Sequence, residues 1–131
     1  MKKFIKIGNN IFAKDTIDFI NINDSELPEE LKNTTIVCHT KNGLFTTIKL
    51  SEDFNIDNFS YKLTKNHDFI LASDTSNGDK FLINMNSVLS ISEVEDNVIK
   101  IIFNKNNLYL FYDTREQFES AFNLLTIASE V

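Results

Sequence analysis

Glycine, cysteine and proline are scarce in this sequence of 131 residues, which has three glycines, one cysteine and one proline. Gly8, Gly43 and Gly78 each fall in a predicted hairpin turn. No glycine therefore remains for a phosphate-binding loop, which needs several of them closely spaced before a helix. The single Cys38 excludes an internal disulfide bond and a zinc cluster built from cysteines. The sequence thus has no phosphate-binding motif and no covalent cross-link.

Long apolar runs and an excess of basic residues are missing as well. The segment Met1–Lys6 is basic, but no long apolar stretch follows it, which excludes a signal peptide and a membrane span. The formal net charge is −6, a balance that repels nucleic-acid phosphates and suits a basic protein partner. We therefore expect a cytoplasmic protein with neither a nucleic-acid partner nor a membrane partner.

Groups that could carry catalysis or bind a metal ion are few and scattered. The two histidines are His39 and His67, and His39 follows Cys38 within a predicted strand. Neighbouring strand residues point to opposite faces, so Cys38 and His39 cannot easily close on one metal ion, which needs three or four converging ligands. A Gly-x-Ser-x-Gly nucleophile motif is absent. We expect no catalytic residue, no metal site and no cofactor, and a protein that is not an enzyme.

Hydrophobic residues are plentiful, at 42% of the chain with 12 phenylalanines, and supply ample material for one core. The sequence reads as one domain, 1–131, built from two degenerate copies of a unit at residues 4–59 and 69–128. Asp15–Ile17 of the first copy aligns with Asn86–Val88 of the second. The predicted fold class is α+β, mostly antiparallel β, with a tandem repeat of a four-strand unit, ββββ followed by ββββα.

Two local signals define the clearest elements. Asn42 and Gly43 lie between two apolar runs and predict a two-residue hairpin turn with positive φ at both positions. Thr114 and Gln117 have the spacing of a capping box, in which each side chain accepts from the other residue's backbone N–H. Apolar residues then recur at helical spacing, namely Phe118, Ala121, Phe122, Leu125 and Ala128. A C-terminal helix is therefore expected to pack on a sheet.

The predicted hairpin of residues 99–103 and 108–112 is apolar on both faces, unlike a sheet with one wet face. We expect the C-terminal helix to cover one face and the second half of the chain, or another subunit, to cover the other. Tyr109, Phe111 and Tyr112 could form a base-stacking platform, but such platforms are interleaved with basic residues. Core packing is the favoured interpretation of these aromatic residues.

The C-terminal helix carries more apolar residues than one sheet face needs. Leu124, Ile127 and Val131 lie to one side of the main stripe, where a monomer would leave them in water. Neighbouring apolar residues on successive turns are typical of an interface. These three residues form the candidate self-association surface, with a homodimer as the expected assembly. The alternative is that they wedge between the two halves of the same chain.

One stretch of the sequence resembles known proteins. The segment Phe4–Phe12, with Ile17–Ile20 and the hairpin at Lys41-Asn42-Gly43, is similar to the opening of many small proteins of AT-rich bacteria and their phages. It also resembles the strand pattern of LytTR-type DNA-binding domains. Those domains need basic loops to reach DNA, and no basic residues cluster in this sequence. We therefore transfer no residues from that family and assign the chain to none.

The functional interpretation rests on size, charge and missing chemistry. It predicts a non-catalytic protein-binding domain, of the kind found in inhibitors, immunity proteins and phage anti-defence proteins. The partner would engage an acidic surface or a strand edge. The alternative is a small-molecule or nucleotide-binding protein whose ligand lies in a cleft between the two halves or between subunits.

Overall fold

The computed structural model describes residues 3–129, with side chains as far as Ile127. Its regular elements are β1 (Phe4–Ile7), β2 (Asn10–Ala13), β3 (Ile17–Asn23), β4 (Thr35–Thr40), β5 (Phe45–Lys49), α1 (Ile56–Asn66), β6 (Phe69–Ser73), β7 (Lys80–Asn84), β8 (Ser90–Glu95), β9 (Val98–Ile102), β10 (Asn107–Phe111) and α2 (Arg115–Ser129). Short 3-10 turns stand at Lys14–Thr16, Glu29–Leu31 and Met85–Ser87.

The strands form three antiparallel sheets. The central sheet has five strands in the order β5-β4-β3-β7-β6, a second sheet pairs β1 with β2, and a third has the order β10-β9-β8. The two helices complete an α+β fold with α2 packed on a sheet, so the predicted fold class is confirmed.

The central sheet is the middle layer and is buried on both faces. On one face Ile20 and Leu82 belong to a core shared with β1 and α1. On the other face Phe19 and Ile83 pack in a second core with the three-stranded sheet and α2. Covering both faces explains why nearly every residue of β3 and β7 is buried, including Asp18 and Asn21, instead of alternating between buried and exposed.

Within this chain only one face of the hairpin of β9 and β10 is covered, and cover of the other face by another subunit stays a prediction. Ile99, Ile101 and Leu110 point into the second core. Tyr109 and Phe111 point outward and are 43% and 45% exposed. The sequence interpretation placed Tyr109, Phe111 and Tyr112 in the core; it was wrong for Tyr109 and Phe111 and is confirmed for Tyr112, which is buried in the second core. The sequence analysis predicted cover on both faces for this hairpin. The sheet that is covered on both faces within the chain is the central one.

The order of elements repeats along the chain, since five strands and a helix are followed by five strands and a helix. The predicted units had four strands, and only the second of them was given a helix. The difference arises because the 3-10 turn Lys14–Thr16 breaks the expected long strand into β2 and β3, where the Thr16 hydroxyl donates to the Ala13 carbonyl at 2.7 Å. An origin of the repeat by duplication stays a prediction.

The β4–β5 turn has three residues, not two. Thr40 N donates to Leu44 O at 3.0 Å, and Gly43 N donates to Thr40 O at 3.0 Å. Gly43 has a φ of 83°, whereas Asn42 is not among the residues with positive φ, so the prediction for Asn42 was wrong. A type I turn followed by one left-handed residue is a common three-residue hairpin, and it needs glycine at only one position.

Helix α2 begins as its sequence predicts. Gln117 N donates to Thr114 Oγ1 at 3.2 Å, and Thr114 N donates to Gln117 Oε1 at 3.3 Å, which confirms the capping box. Phe118 and Leu125 are buried against the second core. No helix within residues 3–129 is long and apolar enough to cross a membrane.

Candidate functional site

The directions of the strands bring several connections to one end of the molecule. Pairing of Ile17 with Thr40 places the start of β3 beside the end of β4. The 3-10 turn before β3 and the β4–β5 turn therefore lie at the same end. The turn between β9 and β10 lies at this end as well, because its Asn106 side chain donates to Asp18 of β3 and to the carbonyl of Thr40. This end carries Lys3, Lys14, Lys41 and Lys105, and we refer to these four residues and their turns as the lysine end.

Backbone hydrogen bonds hold the first three lysines together. Lys14 N donates to Lys3 O at 2.8 Å, and Lys41 N donates to Thr16 O at 2.9 Å. The three lysines line an open cleft of about 480 Å³ with Asp15, Asn84, Asn86 and Ser87. Residues far apart in the sequence thus form one concave surface.

The floor of the cleft is built from buried polar side chains of the second half of the chain. Asn84 Nδ2 donates to Ile17 O at 2.9 Å and to Lys14 O at 3.2 Å. The Ser87 hydroxyl donates to Ile17 O at 3.1 Å. These bonds satisfy carbonyls where the chain passes from the 3-10 turn into β3, and they fix the position of Lys14.

The β9–β10 turn is docked beside the β4–β5 turn. Asn106 Nδ2 donates to Asp18 Oδ2 at 2.8 Å and to Thr40 O at 2.9 Å. A Cβ built on Gly43 would lie 3.4 Å from the Cβ of Lys105, so the two turns are in contact. Lys41 and Lys105 therefore project from neighbouring turns.

The four lysines of the lysine end outnumber its exposed carboxylates, which are Asp15 in the cleft and Asp68 beside Lys14. Within the part of the chain that the structure describes, Lys41 and Lys105 form no salt bridge, whereas Lys14 Nζ lies 3.6 Å from Asp68 Oδ2. The pKa of His67 is lowered, first by burial and then by Lys14 and Lys3, with Asp68 acting in the opposite direction. Two lysines thus act on a neighbouring imidazole as a local positive field.

Acidic residues gather at the opposite end of the strands. The β3–β4 connection carries Glu26, Glu29 and Glu30, and Ser25 N in this connection donates to Asp79 Oδ1 at 2.7 Å, next to the β6–β7 turn. The β8–β9 turn, with Glu93, Glu95 and Asp96, lies at the same end, because Tyr112 N bonds Asn97 O while Thr75 N bonds Phe111 O. The net charge of −6 therefore does not show that four lysines share one end, and the expectation that no basic residues cluster was wrong.

Three titratable side chains lie beneath the lysine end. Burial raises the pKa of the Asp18 carboxyl, while the Asn106 hydrogen bond and Lys41 oppose the rise. Burial, followed by the charge of Asp18, raises the pKa of the Cys38 thiol to about 12. Burial lowers the pKa of His39, whose ring stacks on Phe19 at 4.2 Å.

The structure places Cys38 and His39 on different sides of the central sheet, as predicted from their adjacency. Cys38 belongs to the core shared with α1, and His39 stacks on Phe19 of the other core. Within residues 3–129 no three His, Cys, Asp or Glu side chains converge in a way that could hold a metal ion.

The candidate self-association surface is described in part. Leu124 is 52% exposed and Ile127 is 69% exposed, and Leu124 also lines an open groove with Leu71 and Ala72 of β6. Val131 lies outside the described residues. Neither described side chain wedges between the two halves of the chain, which was the alternative. Self-association through this surface stays a prediction.

Comparison with known proteins gives a fold and no family. No family model and no curated protein matches the chain. A solved structure, the LytTr DNA-binding domain of a protein described as a methyl-accepting/DNA response regulator from Bacillus cereus, is similar with a TM-score of 0.57. The match has 15% sequence identity and covers 95% of each chain. At this identity the likeness shows the fold.

This likeness corrects the sequence-based functional interpretation. The chain was expected to be a protein-binding domain such as an inhibitor or a phage protein, with a ligand-binding cleft as the alternative and no nucleic-acid partner. The fold is instead that of a domain described as DNA-binding, over nearly the whole chain. The net charge misled the interpretation, because it does not report that Lys3, Lys14, Lys41 and Lys105 share one end.

Proposed function

We propose that this chain is a non-catalytic domain that binds duplex DNA through the lysine end. The observation that carries the proposal is that four lysines, from four separate segments of the chain, lie on one end of a fold shared with a domain described as DNA-binding. We also propose that the protein acts in the cytoplasm, where duplex DNA is accessible.

The lysines suit contact with phosphate. Binding of a lysine to a DNA phosphate releases a condensed counterion, so each contact makes the slope of log K against log salt concentration steeper, that is more negative, by about 0.9. Lys41 and Lys105 form no salt bridge within the described residues, so neither must first give up a carboxylate partner. Lys14 already forms an ion pair with Asp68, so it should contribute less to phosphate binding.

The distribution of charge favours one orientation on DNA. The carboxylates of the β3–β4 connection and of the β8–β9 turn would be repelled by phosphates, while the lysine end would be attracted. An acidic protein can therefore approach DNA with the lysine end first. This segregation removes the objection raised by the net charge of −6.

Exposed amides accompany the lysines and could contact bases. Asn42 is exposed beside Lys41, but its Oδ1 already accepts from Leu44 N at 3.1 Å and from the Thr40 hydroxyl at 2.6 Å, so only its Nδ2 is left to donate to a base. Asn104 is exposed beside Lys105. An asparagine amide can bond the N6 and N7 edge of adenine in the major groove. The lysines would then supply affinity, and the amides would supply any preference among sequences.

A titration with duplex DNA of about 20 base pairs, two turns of the helix, tests the proposal. Fluorescence anisotropy would measure the dissociation constant of the wild type over a series of salt concentrations. Lys41→Glu and Lys105→Glu should each weaken binding about tenfold or more, and Lys→Ala at either position should reduce the salt slope by about one.

Lys80→Glu is the matched control, because it makes the same change in charge on the same fold. Lys80 is exposed and pairs with Asn23, at the opposite end of β3 from the lysine end. We expect its effect on binding to be small. Equal losses for Lys80→Glu and Lys41→Glu would mean that net charge matters and location does not. Binding that is absent or independent of salt in the wild type would refute the proposed function.

A further inference from the structure

A single side chain connects the two turns that carry Lys41 and Lys105. Asn106 uses one amide nitrogen to bond both the carboxylate of Asp18 on β3, at 2.8 Å, and the carbonyl of Thr40 at the end of β4, at 2.9 Å. Lys41 follows Thr40 directly, and Lys105 precedes Asn106 directly. The two hydrogen bonds therefore fix the distance between two lysine-bearing turns that belong to different sheets.

The acceptor on β3 is costly to bury. Asp18 is fully buried, and its second carboxylate oxygen, Oδ1, has no hydrogen-bond partner. A buried carboxylate that is only partly satisfied destabilises a fold compared with an apolar residue of similar size. Contribution to stability therefore does not explain why Asp18 occupies this position.

A hydrogen bond constrains the direction between two groups as well as their distance. Apolar contacts are not directional. A leucine at position 18 or 106 would therefore hold the two turns together without fixing their relative position. The bonds from Asn106 need both acceptors near 3 Å and correctly aligned. Such a connection is useful where two charged groups must be presented at a set spacing.

We propose that Asp18 and Asn106 are positioning residues that hold the turns of Lys41 and Lys105 as one DNA-contacting unit. This inference rests on the proposed function. Neither side chain needs to touch DNA. They act by placing the two lysines so that both reach phosphates in the same complex, and loss of the connection should remove the contribution of Lys105 even though Lys105 is still present.

A double-mutant cycle in DNA binding tests the inference. The variants are Asn106→Ala, Lys105→Ala and the two combined, measured with the same duplex at a temperature where all are folded. Each single variant should weaken binding by a similar factor, about three- to tenfold. Adding Asn106→Ala to Lys105→Ala should change the dissociation constant less than twofold, because interacting residues are not additive. General destabilisation would not produce this coupling.

Two further variants separate positioning from other effects. Asp18→Asn keeps an oxygen that can accept from Asn106, and it should bind DNA nearly as well as the wild type. Asn107→Ala removes the neighbouring exposed asparagine and should leave binding unchanged. If Asn106→Ala does not fold, the cycle is run in the Asp18→Asn background, where no buried charge remains without a partner.

The outcomes distinguish this inference from the proposed function. A wild type that does not bind duplex DNA refutes both. A wild type that binds, with an Asn106→Ala variant that either binds equally well or adds its full effect to that of Lys105→Ala, refutes the positioning role alone. The expected coupling, together with retained binding by Asp18→Asn, supports it.

Discussion

Asp18 shows how one buried residue can set a pH dependence for the whole fold. It lies at the start of β3 with no exposed surface, and its pKa is raised mainly by burial. Its hydrogen bond from Asn106 and the charge of Lys41 both favour the ionised form, but they do not outweigh burial. The folded protein therefore binds a proton at Asp18 more tightly than the unfolded chain does.

The sign of the pH effect follows from that raised pKa. The contribution of Asp18 to stability is fully present below the pKa of the unfolded chain, and it is lost as the pH rises through the pKa of the folded state. Asparagine does not titrate. The melting temperature of Asp18→Asn, compared with that of the wild type, should therefore rise between about pH 3 and pH 7.

Thermal unfolding of both proteins across this range checks the expectation, with Asp15→Asn as the control because Asp15 is exposed on the neighbouring turn. A constant offset attributable to the unpartnered amide of the variant is compatible with the argument. A difference in melting temperature that does not change with pH would contradict it.

At the scale of the elements, the β4–β5 turn combines a left-handed glycine with a contact to the neighbouring turn of the lysine end. Gly43 has a φ of 83°, and it also lies against Lys105 of the next turn. Gly78 has nearly the same φ, at 81°, but a Cβ built there would have no neighbour within 4 Å. The two glycines therefore share a backbone conformation and differ in their surroundings.

Replacing Gly43 by Val should destabilise the fold by about 1–2 kcal/mol, the cost of left-handed geometry for a residue with a Cβ, and should also displace Lys105. Gly78→Val should show the backbone cost alone. Urea unfolding measures the first effect, and DNA affinity measures the second. If both variants lose stability equally and neither loses affinity, the contact between the two turns has no role in binding.

At the scale of the whole molecule, the prediction concerns self-association through Leu124 and Ile127 of α2. Leu124 and Ile127 leave apolar surface in water on successive turns of that helix. We expect wild-type protein at tens of micromolar to sediment as a homodimer. The double variant Leu124→Glu, Ile127→Glu should sediment as a folded monomer, because the four carboxylates that two protomers would bring together cannot be buried in a twofold interface without partners.

Leu89→Glu is the control for this experiment, since Leu89 is 68% exposed and lies on a different element, just before β8. It should not change the assembly. A wild type that sediments as a monomer rules out the self-association surface. A dimer that persists in the folded double variant places the interface elsewhere.

Features with a local physical cause were predictable from the sequence. The capping box at Thr114 and Gln117 is a contact between residues three positions apart, and the apolar stripe of α2 follows from its period. Gly43 marked its turn because few other residues adopt its φ. The antiparallel α+β class followed from many short apolar runs joined by turn residues.

The lysine end was decided only by the tertiary structure. Lys3, Lys14, Lys41 and Lys105 are separated by up to 102 positions in the chain, and none of them has a basic neighbour that would mark a cluster, apart from Lys3 at the basic start. Their proximity depends on which strands pair and in which register, and on the docking of the β9–β10 turn through Asn106. Those pairings join residues that are far apart in the sequence. The net charge of a chain carries no information about where its charged residues lie. The sequence could therefore determine the class of fold, but the separation of charge that bears on function exists only in the folded chain.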